Sequence, residues 1–292
     1  MSQPAAAITA TLRLHVKILR DNWLGAICAA VTSAAFLSLG AYRNVRAVAG
    51  YAFALWLGAF FTDFVIAFHP KPGGGFPIKR PPWRESLLVL AFTCAAFVPL
   101  SVRFSQLWPI HNAVTRVVFT AAMLFFTLGT GLACIYLVVF RYKLTDLGVN
   151  FRYWYLALVI HVLFAAITLA FAPQKSHWHA TFRAEGVGGL VAQGVLTAAI
   201  PEEFLRMLLM TRLGAVFANK GMGLFVATFL WASLHMPVFW SGAPQWSFWR
   251  AMMAPWGIIP IGLLWGYITH RTRSLVPSVL LHGFNLWGLQ NF

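Results

Sequence analysis

Three short segments of this chain hold side chains that can move protons. They are Glu202-Glu203 with Arg206, His235 four residues after Trp231, and His282 with Asn285 three residues on. On a helix, Arg206 lies four residues from Glu202 and three from Glu203, so both carboxylates can reach one guanidinium. His282 and Asn285 share a helical face by the same spacing, where an amide can fix an imidazole tautomer or hold an oxyanion. Together these groups supply what peptide hydrolysis requires: a glutamate as general base for water, a histidine as proton donor, and an Asn or second His for the tetrahedral oxyanion. Glu202, His235 and His282 could also hold Zn²⁺ with a water in the fourth position, although the chain has no HExxH spacing. Zinc is therefore an open option, and no other cofactor is implied.

Each segment also has a plainer reading. The Glu-Glu-Arg triplet could be an interfacial ion pair, His235 an interfacial histidine, and His282 with Asn285 polar glue between helices. What favours chemistry is their grouping within the last 91 residues, on three different expected spans. Asp63, the other acid inside an apolar run, is far away in sequence and is expected to cap or snorkel at the inner interface.

The elements that must position these groups follow from composition. Of 292 residues, 60% are hydrophobic and only 10% charged, where a soluble domain carries about 25%. A polytopic, all-α transmembrane bundle is the expected fold. Spans of about 20 apolar residues fall near 23–42, 48–68, 86–102, 113–140, 153–172, 188–210, 222–240, 251–270 and 276–292, giving eight or nine. Residues 1–184 are expected to form the N-terminal spans and residues 185–292 a catalytic core. The net charge of +15 resides mainly between the apolar runs, which suits anionic headgroups and excludes a nucleic-acid partner. The balance of basic residues puts the N-terminus inside, and Arg13, Lys17 and Arg20 precede a retained first span rather than a cleaved signal. Cys28, Cys94 and Cys134 sit in apolar runs and offer no disulfide framework. The stretch His69–Glu85 is a Pro/Gly-rich basic loop, and its Gly73–Gly75 run lacks the Lys-Ser/Thr of a phosphate loop.

At the polar segments the chain resembles the CAAX protease and bacteriocin-processing family of intramembrane endopeptidases. Glu202-Glu203 with Arg206 resembles that family's Glu-Glu-x-x-x-Arg motif, Trp231-x-x-x-His235 its aromatic-x-x-x-His motif, and His282 with Asn285 its His followed by Asn or Asp. Arg206 comes one residue early, Asn285 follows at three residues rather than four, and Trp231 stands where Phe is commoner. The resemblance covers about residues 185–292. It implies a protease of the membrane interior acting on a peptide or lipidated protein, in the plasma membrane of a bacterium. By the family's habit the first glutamate, Glu202, activates water, while the shifted Arg206 leaves Glu203 as an alternative.

Two other classes fit the polar residues less well. A proton-coupled transporter predicts a repeat of broken helices in two halves, and none is visible. A non-catalytic immunity or binding protein would keep the cavity without the chemistry. One tension accompanies these spans: they place Glu202 in the inner half of the sixth and His235 toward the outer end of the seventh, so either Pro201 breaks the helix and moves the glutamates, or the span boundaries or the topology differ from this reading.

Overall fold

Long apolar runs without strand-like alternation dictate helices, and in the computed structural model every regular element among the described residues is helical. The structure describes residues 3–38, 45–69, 76–104, 112–124, 130–171, 178–242 and 245–285. The Gly73–Gly75 run lies outside them. Four helices are long and apolar enough to cross a membrane: Val45–Ala67, Pro82–Ser101, Lys220–Ser241 and Phe248–Thr272. Trp23–Ser38 and Tyr155–Phe171 are apolar but shorter. The protein is thus a helical membrane protein with four spanning-length helices among the described residues, where eight or nine spans were expected. Part of the difference is local geometry. The expected sixth span is preceded by a non-helical Gly186 (φ 60°) and is π-helix over Val191–Ala199.

The helices run α1 (Gln3–Asp21), α2 (Trp23–Ser38), α3 (Val45–Ala67), α4 (Pro82–Phe104), α5 (Ala113–Leu124), α6 (Leu132–Cys134, continuing as π-helix to Val139) and α7 (Tyr155–Phe171). After α8 (Trp178–Leu190) and the π segment come α9 (Ile200–Val216) and α10 (Lys220–Ser233), then short α11 (Met236–Gly242) and α12 (Phe248–Met253), and finally α13 (Ile259–Thr272) and α14 (Val276–Asn285). Two apolar cores result. One joins Ala54 of α3, Ile160 and Phe164 of α7, Trp231 of α10, and Ile261, Trp265 and Ile268 of α13. The other joins Val89 of α4, Tyr136 of the π segment after α6, and Leu205 and Leu208 of α9. The polar residues near Glu203 sit on the seam between them.

Helices α9 and α10 form a hairpin whose turn is set by Asn219: its side chain accepts from the Met222 amide at 2.9 Å and caps α10. A Cβ on Gly223 would lie 2.4 Å from the Gly214 amide nitrogen, so the two backbones cross at a spot with no room for a side chain. This hairpin corrects the expected spans. The sixth span is expected to end at Met210, which leaves Arg212 beyond it. Helix α9 instead continues to Val216, because Arg212 is buried and its Nε lies 2.9 Å from Glu85 Oε2, with both side chains 0% exposed. Glu202 then stands 16 residues before Ala218 and His235 17 after it, which brings the two to one level of the hairpin. The boundaries, not the topology of the pair, were at fault.

Asp63 also differs from expectation. Its carboxylate is fully enclosed near the end of α3, where it accepts from Arg271 Nε at 2.5 Å and from the Tyr267 hydroxyl, and meets His15 Nε2 at 2.9 Å. It is the hub joining α1, α3 and α13 rather than a snorkelling group. Basic residues collect at this same end of the bundle: the Lys79 ammonium donates to the Arg141 carbonyl at 2.6 Å, and the Arg273 carbonyl accepts from the Asn150 amide at 2.7 Å.

Candidate active site

The first turn of α9 supplies both glutamates. Pro201 stands in that turn, where a missing N–H removes no interior hydrogen bond, so the proline starts the α-helix as the π segment ends. Glu202 and Glu203 therefore emerge on adjacent faces of one rigid turn, and their surroundings diverge at once.

Glu203 points inward and is consumed by partners. Its side chain is 1% exposed, it accepts from Arg206 Nη2, and its other oxygen lies 2.9 Å from His282 Nδ1. The Arg206 guanidinium lies over two indoles that meet edge to face, with Cζ 4.8 Å from the Trp231 ring centre and 5.4 Å from that of Trp265. Gly262 of α13 makes this packing possible, since a Cβ there would stand 2.7 Å from the Trp231 ring and 3.1 Å from Arg206 Nη1. His282 stacks on Trp265 at 4.2 Å between ring centres and 18° between planes. On α14, Gly283 lets the helix close on the π segment, where a Cβ would meet Val195 Cγ2 at 2.6 Å.

Glu202 is the glutamate open to the surroundings, its side chain 21% exposed. Its Oε2 accepts from the Trp231 indole N–H at 2.6 Å. The same oxygen lies 3.8 Å from His235 Nε2 and 3.6 Å from His282 Nε2, which is beyond direct hydrogen-bond range. The far nitrogens explain that spacing. His235 Nδ1 is 3.1 Å from the Trp231 carbonyl and His282 Nδ1 is beside the Glu203 carboxylate, so each Nδ1 carries a proton. In neutral rings both Nε2 atoms then present lone pairs toward a carboxylate oxygen. Three acceptors facing one point call for a donor between them, and a water with two protons or a protonated ring satisfies that.

The structure therefore brings together Glu202, Glu203, Arg206, His235 and His282. Asn285 stands at the end of the described part of α14, half-buried, and no hydrogen bond among the described residues joins it to the cluster. In the sequence Trp231 stands out only as the aromatic of its motif, and Trp265 does not stand out. The polar atom of Trp231 is the one that anchors Glu202, a role that an indole can fill and the commoner phenylalanine cannot. For Trp265 the sequence offered one signal, a bulky ring three residues after a glycine in a span. Among the described residues, no group of three or more His, Cys, Asp or Glu side chains is arranged to hold a metal ion.

Residues 186–287 match the family model described as Rce1-like, type II CAAX prenyl endopeptidase Rce1-like. No curated protein and no solved structure matches the chain. The matched segment contains all three polar motifs and begins within two residues of the start of the resemblance read from the sequence.

Proposed function

We propose, from the Rce1-like character of residues 186–287, that the protein is an intramembrane endopeptidase in which Glu202 activates water to cleave a membrane-associated or lipidated protein or peptide. The observation that carries this reading is the division of labour between the two glutamates. Glu203 has both oxygens engaged, by Arg206 and His282, whereas Glu202 directs one oxygen at two imidazole Nε2 atoms across a gap suited to water.

In this reading the Glu202 carboxylate takes a proton from the water as its oxygen attacks the scissile carbonyl carbon. The carbonyl oxygen becomes an oxyanion. His282 is the imidazole equipped to carry positive charge, because Glu203 accepts from its Nδ1–H; its protonated Nε2 donates to the oxyanion. The neutral His235 accepts from the water through Nε2, steadied by the Trp231 carbonyl. The C–N bond then breaks as the proton held by Glu202 passes to the leaving amine, and the carboxylic acid formed gives up the second water proton to that amine, so the products are a carboxylate and an ammonium. Asn285 belongs to this reading as a second oxyanion donor, engaged once substrate fills the opening.

Orientation follows the basic end of the bundle, which we place with the N-terminus on the cytoplasmic face of a bacterial plasma membrane. The test is cleavage of a prenylated CAAX peptide by full-length protein in vesicles. Glu202→Gln is expected to abolish cleavage with folding intact. Full activity in Glu202→Gln, and also in Glu203→Gln, would sink the assignment, and an unchanged biological effect in both would point to a binding protein. A chelator in the same assay decides the zinc option: loss of cleavage that zinc restores would add a metal to Glu202, His235 and His282.

A further inference from the structure

Helix α1 carries three parallel stripes, each displaced by one residue from the next. Thr11, His15, Ile18 and Asn22 share one face by their spacing of four, three and four. That face meets the protein: Thr11 is buried, His15 bonds Asp63, and Asn22 Oδ1 accepts from the Gly221 amide at 2.8 Å. One residue further round are Ile8, Leu12, Val16 and Leu19, which are 43%, 43%, 68% and 60% exposed. One residue further again are Arg13, Lys17 and Arg20, all exposed. The single acid within α1, Asp21, is paired with Arg20 at the surface.

The two tethers fix how α1 lies. Gly221 is in the first turn of α10, while Asp63 and Tyr267 are within about two turns of the ends of α3 and α13. A helix pinned to several helix ends at one end of the bundle crosses that end instead of running along its flank. Such a helix has its apolar stripe available to acyl chains and its basic stripe available to what lies above them.

We propose that α1 is an interfacial helix that binds the anionic phospholipid headgroups of the leaflet at the basic end of the bundle. Charge selects this occupant. A second copy of the chain would set one cationic stripe against another, and a zwitterionic surface offers Arg13, Lys17 and Arg20 no net partner. Each basic side chain held at an anionic leaflet contributes about a fivefold preference, so three together should favour anionic over zwitterionic lipid by up to on the order of a hundredfold. The proposal lies outside the Rce1-like segment and is independent of whether the protein cleaves peptides.

The test uses the full chain with a bimane on Val16→Cys, after Cys28→Ala, Cys94→Ala and Cys134→Ala, reconstituted in phosphatidylcholine with or without phosphatidylglycerol. Quenching by a nitroxide-bearing lipid, several-fold stronger when that lipid is phosphatidylglycerol than phosphatidylcholine, is the expected result. The triple change Arg13→Gln, Lys17→Gln and Arg20→Gln should remove the preference while the label stays within reach of acyl-chain quencher. Quenching by aqueous iodide instead would place the stripe in water. Protection from both quenchers would mean that protein covers it, and equal quenching by the two lipids would deny headgroup selection; any of these overturns the proposal.

Discussion

Helix α9 carries two buried arginines, Arg206 and Arg212, and each is paired with a glutamate while lying over two aromatic rings. The Arg212 cluster is closed. Glu85 receives Arg212 Nε at 2.9 Å, the Tyr142 hydroxyl at 2.5 Å and the Arg80 amide at 3.0 Å, with the guanidinium 5.1 Å from the Tyr136 ring centre. Every carboxylate oxygen there has a donor, and none faces an opening. The Arg206 cluster begins the same way, with Glu203 enclosed between Arg206 and His282. It differs by one added residue, Glu202, which has a single donor and two acceptor nitrogens in front of it. A buried ion pair whose carboxylate is fully supplied with donors joins helices; the same pair with an undersatisfied carboxylate beside it prepares a place for water and substrate.

If that contrast is right, changes to the two clusters should separate activity from stability. The largest effect is expected at Glu202. Replacing it with Gln removes the base and should lower kcat by about 10²–10⁴-fold, while the melting temperature in detergent moves by no more than a few degrees. A comparable loss of folded protein would place Glu202 with the structural acids instead.

Arg212 should behave in the opposite way. Arg212→Met leaves Glu85 charged, buried and short of a partner, a change expected to destabilise by about 3–5 kcal/mol. Combining it with Glu85→Leu should recover much of that loss, because removing both charges also removes their desolvation penalty. Denaturant titration of the single and double variants measures this. Cleavage per folded molecule should stay near that of the parent chain in the double variant.

That contrast also marks how far the sequence was legible. Helical membrane character and the three polar segments followed from composition and spacing, since ionisable groups are rare in spans and their types limit the chemistry. Arg212 and Glu85 were misread because a charge near a span end looks the same whether it faces headgroups or a buried partner 127 residues away. Pairing across that separation depends on tertiary contact, which no local pattern encodes. The same blindness moved the end of α9 and produced the false difference in depth between Glu202 and His235. Trp231 shows a subtler limit: residue type predicted a wall, but only geometry reveals which edge of the ring is polar toward Glu202.

Trp231→Phe sharpens the comparison at that edge. Phenylalanine keeps a ring beside Arg206 but deletes the N–H that reaches Glu202 at 2.6 Å. A hydrogen bond to a charged group contributes about 1.5–3 kcal/mol, so kcat should fall roughly tenfold or more with KM little changed. In the Glu202→Gln background the same substitution should have no further effect on the residual rate. An equal loss in both backgrounds would make Trp231 a packing residue.

The smallest effect is expected where charge meets water. Asp146 lies in the turn before α7, accepting from the Lys143 amide at 2.9 Å and facing the Lys79 ammonium at 3.2 Å. The Lys143 N–H first, and Lys79 with the Lys143 charge after it, hold this carboxyl below its ordinary value of 3.8. A carboxyl depressed on folding lends stability above its unfolded value and loses it as pH falls through that value toward the folded one. The parent chain should therefore lose a small increment of stability below about pH 4 that Asp146→Asn lacks at every pH. Exposure and screening limit the increment to a fraction of a kcal/mol. Adding 0.5 M salt should shrink the Lys79 share of it and leave the Glu85–Arg212 pair nearly untouched, since ions screen exposed charges far more than buried ones. Equal salt sensitivity at the two pairs would mean that water reaches Glu85, and the closed cluster would not be closed.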